Sequence, residues 1–278
     1  MLKFDLHCHS HYSDGVLAPA EVAARAKANG VDVWALTDHD ELSGLAEARE
    51  AANQLDLQFV TGVEISVTWS EQTLHIVGLQ IDENHPELLQ GLAQTRSGRL
   101  RRAEEMARQL EHVGISDALS GALKYVDNPD LISRTHFARY LVELGVRGSI
   151  TEVFKDYLTE GKPGYAPHRW AKLSDALSWI HAAGGVAVIA HPGRYKYSDL
   201  AFHALLEEFK QLGGAGIEVV TGSHTVEEYS QYAQVARNFG LLASTGSDFH
   251  SPDESRMDLG SLPPLPSDLR PVWHDWDL

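Results

Sequence analysis

Residues 32–40 read DVWALTDHD, in which the apolar run Val33-Trp34-Ala35-Leu36 gives way at once to Thr37-Asp38-His39-Asp40. A short run of consecutive apolar residues suits a strand covered on both faces, as in a parallel sheet. Here that strand ends in two carboxylates and an imidazole, so it carries its chemistry at its C-terminal end.

The same arrangement recurs along the chain. Runs at 2–9 (LKFDLHCH), 57–64 (LQFVTGVE), 73–80 (TLHIVGLQ), 185–191 (GVAVIAH), 215–221 (AGIEVVT) and 241–247 (LLASTGS) read as further strands. Amphipathic helices with readable ends lie between most of them: Pro19 to Gly30, Ser43 (as N-cap) to Leu55, Ser174 to Gly184, Ser198 to Gly213, and Thr225 to Gly240. Glu228 stands where it completes a capping box with Thr225. Seven strands alternating with helices imply an α/β architecture. A barrel is favoured over an open sheet, because only a closed barrel makes so many functional strand ends converge.

One segment interrupts the alternation. Helical patterns run from Pro86 to about Gly114, through 131–145 and through 149–160, and Gly161-Lys162-Pro163-Gly164 reads as punctuation. Residues 83–168 are therefore expected to form a mostly helical insertion, or cap, in a barrel made of residues 1–82 and 169–278. The Pro-, Asp- and Ser-rich tail from Ser251 is expected to wrap the surface irregularly.

Composition sets outer limits. The chain has 278 residues, 43% of them hydrophobic, which supplies a sizeable core. No apolar run approaches the roughly 18 residues that span a bilayer. The first residues show no signal-peptide pattern, and a single cysteine, Cys8, excludes an internal disulfide framework and fits a reducing cytoplasm. Acids outnumber Lys and Arg by 39 to 23, alongside 15 histidines. Residues 83–170 hold 12 cations against 12 acids, whereas the flanks hold 4 against 13 and 7 against 14. An acidic chain is a poor passive binder of nucleic acid, but carboxylates with neutral imidazoles suit divalent cations.

The candidate ligands follow the strands. In His7-Cys8-His9, residues two apart share a face, so both imidazoles can meet one ion while Phe4, Leu6 and Cys8 pack on the other side. Asp14 lies in Ser13-Asp14-Gly15, where an Asx turn is the alternative role. His39 ends the second strand, Glu64 the third, His75 lies early in the fourth, and His191 ends the fifth. Asp248 and His250 share a face after the seventh. Nine oxygen and nitrogen ligands exceed the needs of one ion and fit two or three. With Cys8 on the wrong face, a thiolate-type structural zinc is not expected.

In this order, H-x-H, T-D-H-D, G-x-E, a following His, H-P and S-D-x-H resemble the PHP (polymerase and histidinol phosphatase) family, over residues 1–82 and 171–250. The position of the helical insertion is similar to that of its TrpH/YciV-like branch. The resemblance implies a distorted (β/α)7 barrel. It also implies His7, His9, Asp14, His39, Glu64, His75, His191, Asp248 and His250 as ligands of a trinuclear site, usually of manganese, with iron or zinc as alternatives. The activities implied are 3′,5′-nucleotide bisphosphate phosphatase and 5′→3′ exoribonuclease on short RNA.

A substrate with a second phosphate needs cations other than metals. Arg134 and His136 stand near the start of a helix, a natural anion site, and Arg194 directly follows His191-Pro192-Gly193. These three are the expected phosphate contacts, with His168, Arg169 and Lys162 as weaker candidates. Arg96, Arg99, Arg101 and Arg102 read as a solvated helix face paired with Glu104 and Glu105. His11, His181 and His224 are left outside the site, although His224 stands in a loop near it.

The resulting expectation is a metal-dependent phosphoesterase that removes the 3′-phosphate of nucleoside 3′,5′-bisphosphates and trims short oligoribonucleotides. Glu64, His191 and Asp248 are its expected catalytic residues: Glu64 as bridging carboxylate, Asp248 or a ligand histidine as proton donor. No membrane or long-duplex partner is expected, and the oligomeric state is left open. The alternatives are a histidinol-phosphate-type phosphomonoesterase, a non-catalytic metal- and nucleic-acid-binding module, and an amide-cleaving amidohydrolase.

Overall fold

The computed structural model describes residues 2–277. In chain order the elements are β1 (Phe4–Asp5), α1 (Pro19–Ala28), β2 (Val33–Leu36), α2 (Leu45–Gln54), β3 (Gln58–Trp69) and β4 (Gln72–Leu79). Then come α3 (Pro86–Arg96), α4 (Arg99–Glu111), α5 (Ala118–Ala122), α6 (Arg134–Glu143) and α7 (Ile150–Val153), which runs into a π-helical turn, Phe154–Leu158. The chain returns through β5 (Ala171–Lys172), α8 (Leu173–Ala182), β6 (Val186–Ile189), α9 (Asp199–Gln211), β7 (Gly216–Thr221), α10 (Val226–Phe239) and β8 (Leu242–Gly246).

The strands form one sheet in the order β1-β2-β3-β4-β6-β7-β8, with β5 paired to β3. It curls until its ends meet: the Leu6 amide donates to the Thr245 carbonyl at 3.0 Å, Asp248 N to His7 O at 2.8 Å, and His9 N to Phe249 O at 2.8 Å. The expected barrel is therefore present, but it is not all parallel. β4 runs antiparallel to both β3 and β6. The cause is local: Ser70 and Glu71, between β3 and β4, both have positive φ (47° and 63°), the geometry of a two-residue hairpin turn.

Two layers of apolar packing hold the barrel. Trp34, Leu36, Ile65, Ile76, Ile189 and Phe209, all at most 1% exposed, belong to the large cluster between sheet and helices. A smaller cluster takes the alternate positions Val33, Ala35, Val60, Val77 and Val188. Phe4 and Leu6 belong to this second set, while Cys8 joins the first, so Phe4, Leu6 and Cys8 do not share one side as strand alternation predicts. Regular pairing ends at Asp5, and the chain beyond it no longer alternates. The tail is irregular as expected, yet Val272 is buried in the second cluster and Trp273 stacks on Phe4 at 3.9 Å.

Helix ends follow the sequence signals with two exceptions, Ser43 and Ser174; α8 starts at Leu173 with Lys172 as its N-cap. Thr225 and Glu228 form the reciprocal capping box of α10, and Gly240 ends it at φ 63°. Ser43 does not cap α2; its hydroxyl donates to Glu41 instead, and Gly44 is the N-cap. Thr225→Ala is expected to cost about 1 kcal/mol, lowering the melting temperature by about 2–4 °C; an unchanged melting curve would show the cap to be idle.

The helices between Pro86 and Leu158 divide between two cores. Leu88 and Leu92 of α3 pack with the barrel, whereas Ala103, Met106 and Leu110 of α4 join Phe137, Leu141 and Val153 in a separate cluster. α4 is anchored to the barrel by Arg99 on Asp40, and α6 by Arg139 on Glu254 at 2.7 Å and on the Asp14 carbonyl.

Candidate active site

The barrel closure brings the C-terminal ends of β1, β2, β6 and β8 beside the middle of the β3–β4 hairpin. His7 and His9 follow β1, and Gly246 makes room for them, since a Cβ there would lie 2.3 Å from the His7 Cβ. Glu64 stands within β3, and His75 on β4 is registered opposite Ser66. His191, Asp248 and His250 lie just beyond β6 and β8. Three non-glycine residues at these strand ends, Asp40, His191 and Asp248, adopt positive φ of 52°, 27° and 55°. Such strain persists where surrounding structure over-determines it, and it clusters at functional sites.

All nine residues expected as ligands come together. They fall into four overlapping groups whose ligand atoms lie within 4.8 Å of one another: His9, Asp14, His39 and His250; His7, His9 and Asp248; His7, Glu64 and His191; and His39, Glu64 and His75. Glu64 is central and fully buried. Its Oε1 lies 2.9 Å from His191 Nε2 and 3.0 Å from His75 Nδ1, and its Oε2 lies 2.8 Å from His39 Nδ1 and 3.4 Å from His9 Nε2. Asp248 Oδ1 is 3.2 Å from His9 Nε2, and Asp14 Oδ1 is 3.3 Å from His250 Nε2.

These residues fit divalent cations better than they fit each other. The Nε2 atoms of His7 and His9 approach to 3.2 Å. Asp14 Oδ1, Glu64 Oε2 and Asp248 Oδ1 are buried without an aligned hydrogen bond. Buried polar atoms are normally paired, so donors of this kind turned on common points mark cation sites. Oxygen and imidazole ligands suit manganese, iron and zinc alike.

The electrostatics agree. Burial would raise the carboxyls of Glu64, Asp14 and Asp248, but neighbouring imidazoles and one guanidinium hold all three well below the usual range: His75, His39 and His7 around Glu64; His39 and His250 around Asp14; and Arg194 and His7 around Asp248. Burial, followed by the charges of His250 and His39, pushes His9 down to about 3, and burial with Arg194 does the same to His191. His39 goes the other way, up to about 9, because Glu64 and Asp14 outweigh its burial.

Above the cluster lies a cleft of about 670 Å³, walled by the barrel rim and by α4, α6 and α7. Of the expected phosphate contacts, Arg134 and Arg194 line it, whereas His136 is not among its lining residues. His136 is 1% exposed, and its Nδ1 accepts from the Ser133 amide at 3.0 Å, which makes it part of the α6 cap. Arg194 reaches Asp248 Oδ2 at 2.7 Å from the half-exposed rim. Arg134 lies over the Phe154 ring and, among the described residues, its side chain has only the Leu158 carbonyl, at 3.5 Å, as a hydrogen-bond partner.

The arginine cluster at the junction of α3 and α4 departs from its expected solvated role. Arg99 is buried against Asp40, with Ser66 Oγ at 3.2 Å and the Trp170 ring at 4.7 Å. Arg96 donates to the Asp40 carbonyl, and Arg102 donates to Ala166 O at 3.1 Å and also lies over Trp170. Glu105 pairs with Arg108, and Arg101 alone of the four remains exposed. The buried face of α4 carries Arg99, Ala103, Met106 and Leu110: its last three residues pack in the second cluster, and the arginine that begins the stripe reaches the barrel at Asp40.

The remaining candidates sort by position. His168 packs edge-on to Trp170, and Arg169 is exposed, paired with Glu71. Lys162 is exposed too. His11 meets Asp127, between α5 and α6, at 2.8 Å. His224 is buried: its Nε2 accepts from Gly193 N at 3.0 Å, so it steadies the loop that carries Arg194. Sequence reading passed over three supporting side chains. Asp38 accepts from Ser10 N, Ser10 Oγ and Ser13 Oγ at 2.6–2.8 Å. The Tyr195 hydroxyl donates to Ala190 O and accepts from His75 N, both at 2.9 Å. Glu218 lies 2.7 Å from His7. Its signal was present: a lone carboxylate inside the apolar run GIEVVT has no water to face in a covered strand.

Comparison with known proteins gives the same picture. The chain is 50% identical over 275 residues to the 3′,5′-nucleoside bisphosphate phosphatase of Chromobacterium violaceum, covering 99% of this chain and 96% of that one. It is 42% identical over 271 residues to the 5′-3′ exoribonuclease of Haemophilus influenzae, covering 98% of each. A solved structure of an amidohydrolase from Chromobacterium violaceum, with bound sulfate and no metal, superposes with a TM-score of 0.95 at 50% identity, over 98% of this chain and 94% of that one. The PHP domain family pattern matches residues 5–222, which run from the first strand through the His191 loop to the end of β7. With its strand-end histidines and carboxylates gathered on a barrel of this topology, the chain belongs to the PHP domain family.

Proposed function

We propose that this protein is a metal-dependent phosphoesterase that removes the 3′-phosphate of nucleoside 3′,5′-bisphosphates to leave the 5′-monophosphate. The observation that carries the reading is the pairing of a buried nine-ligand cluster with a cleft whose opposite wall carries guanidiniums. His7, His9, Asp14, His39, Glu64, His75, His191, Asp248 and His250 would hold two or three divalent ions, with Mn²⁺ our assignment. Bound there, such ions supply water activation and neutralisation of phosphoryl charge.

The chain's own residues do the rest. Glu64 reaches the most imidazoles and would serve as the bridging carboxylate when ions are bound. Arg194, paired with Asp248 at the rim, exchanges that partner for a substrate phosphate, which frees Asp248 Oδ2 to handle the proton of the leaving oxygen. His191, held through Nε2 against Glu64, keeps the scissile side of the cluster in place. Arg134, without a carboxylate partner among the described residues, takes the remote phosphate and orients the substrate. We take residues 83–168 as the cap that supplies this contact. The 42% identity to a 5′-3′ exoribonuclease favours short oligoribonucleotides as a second substrate. Among the described residues no helix is long and apolar enough to cross a membrane; the free, buried Cys8 is consistent with the cytoplasm, where we place the enzyme.

The test is phosphate release from adenosine 3′,5′-bisphosphate by Mn²⁺-loaded protein, with 5′-AMP and histidinol phosphate alongside. Release from the bisphosphate alone supports the reading; turnover of histidinol phosphate without it overturns the substrate assignment. Arg134→Ala removes a charged hydrogen-bond donor worth about 1.5–3 kcal/mol, so KM for the bisphosphate should rise roughly 10- to 100-fold. An unchanged KM would remove Arg134 from the substrate site.

A further inference from the structure

Strand β7 contributes none of the nine ligands, yet its Glu218 touches two of them. Glu218 is 1% exposed and lies where the pairing of β7 with β8 slips, between Glu218 and Val220. Its Oε1 is 2.7 Å from His7 Nδ1. Its Oε2 accepts the backbone N–H of His191 at 2.6 Å. His191 is the residue with φ 27° and ψ 59°, a conformation that needs outside support.

A neutral imidazole carries one N–H and one lone pair. His7 Nε2 faces His9, Glu64 and Asp248 at 3.2–3.5 Å and belongs to two of the four ligand groups. To serve a cation, that nitrogen must be the lone pair, so the proton must sit on Nδ1. We propose that Glu218 is a positioning residue of this site: one oxygen fixes the Nδ1–H form and the orientation of His7, and the other locks the strained His191 loop. A single carboxylate thereby presets a ligand from each of two strand ends, β1 and β6. This rests on reading the nine-residue cluster as a metal site.

Glu218→Gln tests it because only one of its two terminal atoms can accept a hydrogen bond. The amide oxygen can keep the His191 N–H; the amide nitrogen then donates to His7 Nδ1 and drives the ring proton to Nε2, toward the cation. The probe is Mn²⁺ alone. Wild type, Glu218→Gln, Glu218→Asp and His7→Ala are dialysed against graded free Mn²⁺ and the metal per chain is counted by mass spectrometry. Glu218→Gln should weaken binding at the affected site about 10- to 100-fold, shedding metal at concentrations where wild type is full. Glu218→Asp, which keeps two acceptors, should hold more metal than Glu218→Gln.

Wild-type affinity in Glu218→Gln, with metal lost from His7→Ala, overturns the role of Glu218 and leaves the metal site standing. Full metal in His7→Ala overturns both. Should Glu218→Gln fail to fold, proton NMR of the Zn²⁺-loaded wild-type protein decides: a downfield, slowly exchanging His7 Nδ1–H supports the proposal, and its absence overturns it.

Discussion

Glu64→Gln is expected to reduce phosphoesterase turnover by roughly 10³-fold or more, on the scale of losing a principal electrostatic element of an active site, and to remove at least one bound ion per chain. The side chain is fully buried and its two oxygens lie 2.8–3.4 Å from the nitrogens of five imidazoles. Glutamine keeps the volume but replaces one oxygen with an N–H₂ that points its hydrogens where cations and lone pairs are required. Two of the four ligand groups contain Glu64, so the loss cannot be confined to one position. Initial rates on the bisphosphate together with metal content by mass spectrometry provide the check. A full metal complement with a rate within tenfold of wild type would show that Glu64 is not the bridging carboxylate.

Arg99→Ala is expected to destabilise the fold by about 3–5 kcal/mol, the cost of removing one partner from a buried ion pair. Asp40 is fully buried, and among the described residues its carboxylate has, besides Arg99, only Ser66 N at 2.7 Å and Ser66 Oγ at 2.9 Å as donors. It also follows His39 directly and sits at φ 52°, so its release loosens the loop that presents His39 to Glu64. A fall in melting temperature of about 6–15 °C should follow in a chain of this size. The double variant Asp40→Asn with Arg99→Met should be less damaging than the two single changes added together, since it removes both charges at once. A fall of less than 2 °C for Arg99→Ala would mean that the guanidinium contributes nothing to the contact between α4 and the barrel.

The chemistry of the site was legible in the sequence because cation ligands come from very few residue types. On short strands, position relative to the strand end decides whether they can meet. His7, His39, His191 and Asp248 could therefore be picked out one strand at a time, and the need for those ends to converge implied a barrel. The reversal of β4 rested on Ser70-Glu71 adopting positive φ, a choice that neither residue type advertises as glycine or asparagine would.

Three assignments awaited the tertiary structure. Arg99 on its own helix is indistinguishable from Arg101; what separates them is Asp40, 59 positions away, which only the packing of α4 on the barrel brings within reach. His136 has the composition of an anion contact, but its ring is already engaged in capping α6. Glu218 lies 211 residues from His7, and barrel closure makes them neighbours. Local sequence thus determined which side chains could bind cations, although Glu64, expected at the end of the third strand, stands in the middle of β3, which continues to Trp69. The partners of buried charges were decided by long-range packing, because in the interior a charge must be met by whichever group the fold brings to it.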